Sequence, residues 1–116
     1  MGKRIITQRR GRGTFTYKSP SHRYVGFISH RKYDKNEYNV IYGKVIELIH
    51  CSGHSAPLAK VKYETNEHIY MPAPLQIRLG DIIASGFKAK PTIGNTLPLE
   101  NIPEGSDVFN IESKPG

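Results

Sequence analysis

Few residues in this chain have the type and spacing for chemistry, and they fall in two places. His50, Cys51 and His54 are zinc-ligand types packed into five residues. A structural zinc site needs four converging ligands, and no fourth stands nearby. The simpler reading is a polar turn between two strands, so no metal and no other cofactor is expected. His22 and His30, with Lys18 or Lys32, offer an acid and a base for phosphodiester cleavage. General acid-base pairs need fixed positions, however, and both histidines sit in a segment with no evident means of holding one. Glu64 with Glu67 and Glu100 with Glu104 each flank a turn and read as solvated surface. There is no glycine-rich phosphate loop ending in Lys-Ser or Lys-Thr, and "GRG" at Gly11 to Gly13 is a flexible basic joint. The expectation is a protein that is not an enzyme and has no small-molecule substrate.

A different chemistry stands out in "QRRGRGTFTYKSPSHRY", Gln8 to Tyr24. Arg9, Arg10, Arg12, Lys18 and Arg23 occur there with no acid, interleaved with Phe15, Tyr17 and Tyr24. From Met1 to Lys35 ten Lys or Arg stand against Asp34 alone, a net +9, while the remainder of the chain carries −2 of the overall +7. Such asymmetry describes a basic arm on an ordinary domain, with a polyanion as partner. Guanidinium groups pair with phosphates and aromatic rings stack on splayed bases, which suits RNA. A membrane surface fits less well, because Ile5, Ile6, Phe15, Tyr17, Tyr24 and Val25 do not fall on one helical stripe and no apolar run is long enough to span a bilayer. Self-repulsion and a shortage of apolar residues predict an arm that is disordered when free. Extended at about 3.4 Å per residue, it reaches on the order of 100 Å. A single Cys51 excludes an internal disulfide and suits a reducing, cytoplasmic setting.

What must position these groups is a domain over residues 36–116, the arm taking 1–35. "NVIYGKVIELIH", Asn39 to His50, is β-branched and aromatic, with Gly43 suggesting a bulge or bend. "LAKVKYE" alternates, placing Ala59, Val61 and Tyr63 on one face and Lys60, Lys62 and Glu64 on the other. Thr65 and Asn66 signal a tight hairpin into "EHIYM", Glu67 to Met71, which Pro72 and Pro74 end. "IIASG", Ile82 to Gly86, and "DVFNIE", Asp107 to Glu112, are the fourth and fifth strands. The fold class is all-β: a small five-stranded barrel or sandwich with a basic, extended amino-terminal arm.

Three stretches resemble a known family. "GRGTFTYKSPSHRY" from Gly11, "SAPLAKVKY" from Ser55 and "KPTIGNTLPLENIPEGSDVFNIESKPG" from Lys90 are similar to the amino-terminal half of the universal large-subunit ribosomal protein two, the L-two family, in its archaeal form. "GNTLPLENIPEG" and the later "NIE" carry the most specific part of the likeness. The resemblance implies an oligonucleotide-binding-type (OB) barrel with its arm threaded into ribosomal RNA. Members of the family continue into a second, SH3-like barrel and a basic tail. Those positions are absent here, so no role in peptide-bond chemistry carries over. Where relatives have an Arg before "SAP" this chain has His54, which puts one RNA contact in doubt or makes it titratable.

The expected function is that of a structural constituent of the large ribosomal subunit that binds and stabilises its RNA, located in the cytoplasm on the ribosome. Its expected partners are large-subunit ribosomal RNA and neighbouring ribosomal proteins, with no membrane. The alternative is a free-standing OB-type module acting on transfer RNA or single-stranded RNA. Residues expected at RNA are Arg4, Arg9, Arg10, Arg12, Lys18, His22, Arg23, Tyr24, His30, Arg31 and Lys32 in the arm, His54 and Ser55 in the first loop, and Gly94 and Asn95 where "GNTLPL" turns. Leu97 and Leu99 are expected to pack on the barrel.

Overall fold

The computed structural model describes residues 2–32 and 39–115. The boundary expected between Lys35 and Asn36 lies outside the described residues. The long axis measures 65 Å against 29 and 26 Å for the other two. The Cα radius of gyration, 18.2 Å, compares with about 13 Å for a compact chain of ~100 residues.

Four strands form one antiparallel sheet: β1 (Ile41–Ile49), β2 (Leu58–Tyr63), β3 (His68–Pro72) and β4 (Ile82–Ser85), in the order β3-β2-β1-β4. The alternation in β2 decides which face is the core. Ala59, Val61 and Tyr63 turn inward and pack with Val45, Met71 and Ile83, with Ile41, Ile69, Ala73 and Ile77 around them. Val45, Val61 and Ile83 are essentially fully buried. Each such side chain stabilises the fold by about 1.5–3 kcal/mol. Burial also pushes the pKa of the Tyr63 hydroxyl up, because the phenolate would lose its hydration there.

Gly43 serves close approach and not the expected bulge. It pairs with Tyr63 on one side and Ile83 on the other, and a Cβ there would lie 2.7 Å from Val61 Cγ1 and 2.8 Å from Tyr63 Cδ1. The register break lies further along, between Val45 and Glu47. The β2–β3 hairpin turns through Glu64, Thr65 and Asn66, with Asn66 at φ +63° and its amide bonded to the Tyr63 carbonyl. The turn is closed by a left-handed residue, a conformation that asparagine tolerates.

The expected fifth strand does not form. Among the described residues Asp107–Glu112 forms no sheet ladder, Asn110 adopts φ +54°, and Ile111 is 61 % exposed. A left-handed residue in its middle breaks the extended backbone a strand requires. The sheet is therefore open, with four strands where a five-stranded barrel was expected, while the all-β class holds. An OB-type barrel is itself partly open, and this strand order is compatible with one. Both free edges are blunted by single parallel bridges, Ile28 to Tyr70 on β3 and Thr96 to Ser85 on β4. Such cover limits unwanted edge pairing.

Candidate nucleic-acid interface

The arm consists of two parts. Residues 2–23 are exposed throughout and hold local turns: 3-10 helical turns at Ile6–Arg9 and Ser21–Arg23, and amides of Tyr17 and Lys18 bonded to the Thr14 carbonyl; at the end of the stretch Ser52 Oγ donates to the Arg23 carbonyl at 3.5 Å. Arg4, Arg9, Arg10, Arg12, Lys18, His22 and Arg23 all lie here, with no ion pair among the described residues. Arg12 bonds its own chain at the Gln8 carbonyl, 3.2 Å away. Phe15 is 97 % exposed, a ring open for stacking.

Residues 24–32 run along β3, and from Tyr24 to His30 alternate residues are half-buried. The Tyr24 ring lies over Gly53, where a Cβ would sit 2.5 Å from Cε1, and its hydroxyl bonds Ser19 Oγ. Gly26 lies against the Tyr70 ring, and the Ser29 amide donates to the Tyr70 carbonyl. His30 bonds the Asn110 carbonyl through Nε2. Arg31 Nε is 3.1 Å from Glu67 Oε2, the arginine side chain largely buried and the glutamate half-exposed. Lys32 is exposed.

The turn after β1 holds this segment in place. Cys51 is fully buried; the Val25 amide donates to its Sγ at 3.4 Å, and His54 Nδ1 lies 3.2 Å from the same atom. Donation from Val25, then from His54, lowers the thiol pKa from 9.0 to about 7, against burial, which raises it. The His54 ring is 6.1 Å from that of Tyr24, tilted by 51°. His50 and Ser55 are exposed. Among the described residues no three His, Cys, Asp or Glu side chains converge on a point that could hold a metal ion, and no helix is long and apolar enough to cross a membrane.

"GNTLPL" lies on the free edge of β4. Gly94 is buried at φ +87°, where a Cβ would meet Ile83 Cγ2 at 3.0 Å. Asn95 Oδ1 accepts from the Ala84 amide at 2.8 Å, while Nδ2 donates to the Lys90 carbonyl and Thr92 Oγ1. These bonds use most of the amide's capacity inside the protein. Leu97 is half-buried and Leu99 is 58 % exposed.

The expected RNA residues thus divide into two groups. Tyr24, His30, Arg31, His54, Gly94 and Asn95 have partners within the protein; Arg4, Arg9, Arg10, Arg12, Lys18, His22, Arg23, Lys32 and Ser55 are exposed. Sequence reasoning passed over Lys44 and Lys62, which the sheet sets directly opposite each other on its outer face. Lys62 was readable as outward from the β2 alternation; only the register reveals its neighbour.

Fold and surface together define a small all-β domain carrying a basic extension, with most of its unpaired positive charge on that extension. No family model matches the chain. Across its whole length it is a homologue of archaeal large ribosomal subunit protein uL2. It is 48 % identical over 117 aligned positions to uL2 of Methanothermobacter thermautotrophicus, 50 % to that of Methanopyrus kandleri and 52 % to that of Methanosphaera stadtmanae. Each alignment covers 100 % of this chain and 48 % of the relative, so the chain spans about half the length of the curated relatives it matches.

Proposed function

We propose that this chain is a structural, non-enzymatic constituent of the large ribosomal subunit in the cytoplasm, and that it binds and stabilises large-subunit ribosomal RNA beside neighbouring ribosomal proteins. The observation that carries the reading is the whole-length likeness to large-subunit uL2. The exposed, acid-free arm of residues 2–23 supplies the physics. Each phosphate neutralised by Lys or Arg releases condensed counterions, and RNA helices that repel one another then pack closely. In this reading Arg4, Arg9, Arg10, Arg12, Lys18, His22, Arg23 and Lys32 contact RNA directly, and Tyr24, His30, Arg31 and His54 set where the arm leaves the sheet. Ser55 borders that exit. Gly94 and Asn95 contribute through the shape of their loop.

The test is equilibrium binding of the full chain to an in vitro transcript of archaeal large-subunit ribosomal RNA over a salt series, with transfer RNA and single-stranded RNA as competitors. The expected result is a steep log-log salt dependence and poor displacement by either competitor. Equal displacement by transfer RNA or single strands favours the free-standing module instead, and salt-insensitive binding sinks the electrostatic mechanism.

A further inference from the structure

Opposite the core, the sheet presents a second face. Lys44 of β1 stands directly across from Lys62 of β2, and on its other side across from Ile82 of β4. Like charges directly opposite in a sheet destabilise it, and neither lysine has an ion pair among the described residues. The nearby acids do not cancel this pair. Glu47 is across from Lys60, and Glu64, exposed at the hairpin end of the same face with its amide bonded to the Tyr42 carbonyl, makes no ion pair with either lysine among the described residues. Around the two lysines Tyr42 is 49 % and Ile82 71 % exposed. Folding alone selects neither an unrelieved lysine pair nor a tyrosine and an isoleucine left open beside it.

The other end of this face is where the arm docks. Leu58 shares the outward parity of Lys60 and Lys62, yet it is fully buried and stands outside the main core cluster. The Lys60 ammonium is 6.0 Å from the centre of the Tyr70 ring, against which Gly26 of the arm rests. Lys60 therefore joins the docked arm to the open lysine pair, and the face is continuous with the basic extension.

We propose that this outer face is a second RNA contact, with a phosphate seated between Lys44 and Lys62 and a base or ribose against Tyr42. The inference rests on the RNA reading above and adds a surface to it. RNA is favoured over a protein partner because lysine is depleted from the cores of protein interfaces, whereas a polyanion relieves the repulsion between the pair. Tyrosine beside a phosphate site also suits a stacked base.

The test uses the full chain, its Lys44→Gln/Lys62→Gln double variant and Tyr42→Ala, with the same ribosomal RNA transcript. In the double variant the salt slope is expected to fall by roughly 0.7–0.9 for each lost contact, with affinity about tenfold or more lower. The melting temperature of the free protein should stay level or rise, because a like-charge pair has been removed. Tyr42→Ala should weaken binding without changing the slope, and ultraviolet irradiation of the wild-type complex should crosslink Tyr42 to RNA. An unchanged slope and affinity in the double variant, while the parent keeps its steep salt dependence, overturns this contact and leaves the general reading standing. Affinity that falls only in step with a lower melting temperature also overturns it, since the pair would then act through the fold. If the parent shows no salt-dependent binding, the RNA reading itself fails.

Discussion

Residues 2–23 and residues 24–32 are both basic and interspersed with aromatics, yet the first stretch is exposed throughout and touches the domain at its end, where Ser52 Oγ donates to the Arg23 carbonyl, while in the second alternate residues are half-buried against the domain. Composition does not separate them; what differs is the surface they meet. Gly53 leaves room for the Tyr24 ring, Cys51 offers a sulfur to the Val25 amide, and the edge of β3 offers the Tyr70 carbonyl to Ser29. Among the described residues of the domain, residues 2–23 meet only Ser52 Oγ, at the Arg23 carbonyl. The comparison teaches that the charge of the arm and its anchorage are separable, so that binding and stability should respond to different substitutions.

Deleting residues 2–23 should have the largest effect on binding and almost none on the fold. It removes Lys3, Arg4, Arg9, Arg10, Arg12, Lys18 and Arg23. Each lost phosphate contact lowers the salt slope by about 0.9 in duplex or ~0.7 in single strands, so affinity for ribosomal RNA should drop by orders of magnitude. Melting should barely change, because this stretch holds no buried residue. A truncated protein that keeps its affinity and slope would move the main electrostatic contact onto the sheet.

Gly53→Ala should produce the reverse pattern. The new Cβ lies 2.5 Å from the Tyr24 ring, so the ring must leave its place over the turn, taking Val25 from Cys51. Overpacking of this kind costs about 1–3 kcal/mol. Hydrogen exchange should show the amides of residues 24–29 losing protection, while the salt slope of RNA binding stays close to that of the parent. Gly2→Ala, with nothing within 4 Å of the new atom, is the control and should be silent. Protection that survives in Gly53→Ala would mean that the bridge of Ile28 to Tyr70, with the contacts of His30 and Arg31, anchors the arm without the Tyr24 ring.

Why was the sheet readable in the sequence and the anchorage not? In β2 the inward Ala59, Val61 and Tyr63 differ in kind from the outward Lys60 and Lys62, so period two shows at once. From Tyr24 to His30 the period is the same, but outward Val25 and Phe27, the latter 96 % exposed, are as apolar as the inward Tyr24 and Ile28. The contrast that would reveal a half-buried strand is missing. Asp107–Glu112 misleads in the opposite direction: Val108, Phe109 and Ile111 have strand composition, yet they join no ladder among the described residues and Asn110 turns left-handed. The candidate RNA residues were legible as charge and type. Their division into exposed and anchored groups depends on contacts between Tyr24 and Gly53 or Arg31 and Glu67, which are distant in sequence and meet only once the sheet and its turns are formed.

The smallest expected effect concerns the anchor's own acidity. Cys51 has a folded pKa of about 7, against 9.0 for the ordinary thiol, chiefly because the Val25 amide donates to its sulfur and secondarily because of His54. A depressed acid stabilises the state that depresses it once ionised. The contribution is therefore fully present above the unfolded value near 9.0 and is lost as pH falls through about 7. The difference in melting temperature between the parent and Cys51→Ser should widen from pH 6 to pH 9. The thiolate absorbance near 240 nm should titrate in the parent with a midpoint near 7. Replacing His54 with Ala removes the second cause and leaves the first, so the midpoint should rise part of the way toward the ordinary value. Gly53→Ala, by drawing Val25 away, should raise it further. A midpoint near 9.0 in the parent, the value of the ordinary thiol, would mean that neither donor reaches the sulfur in solution, and the arm would then be held without this tie, by Tyr24, Tyr70 and the contacts of His30 and Arg31.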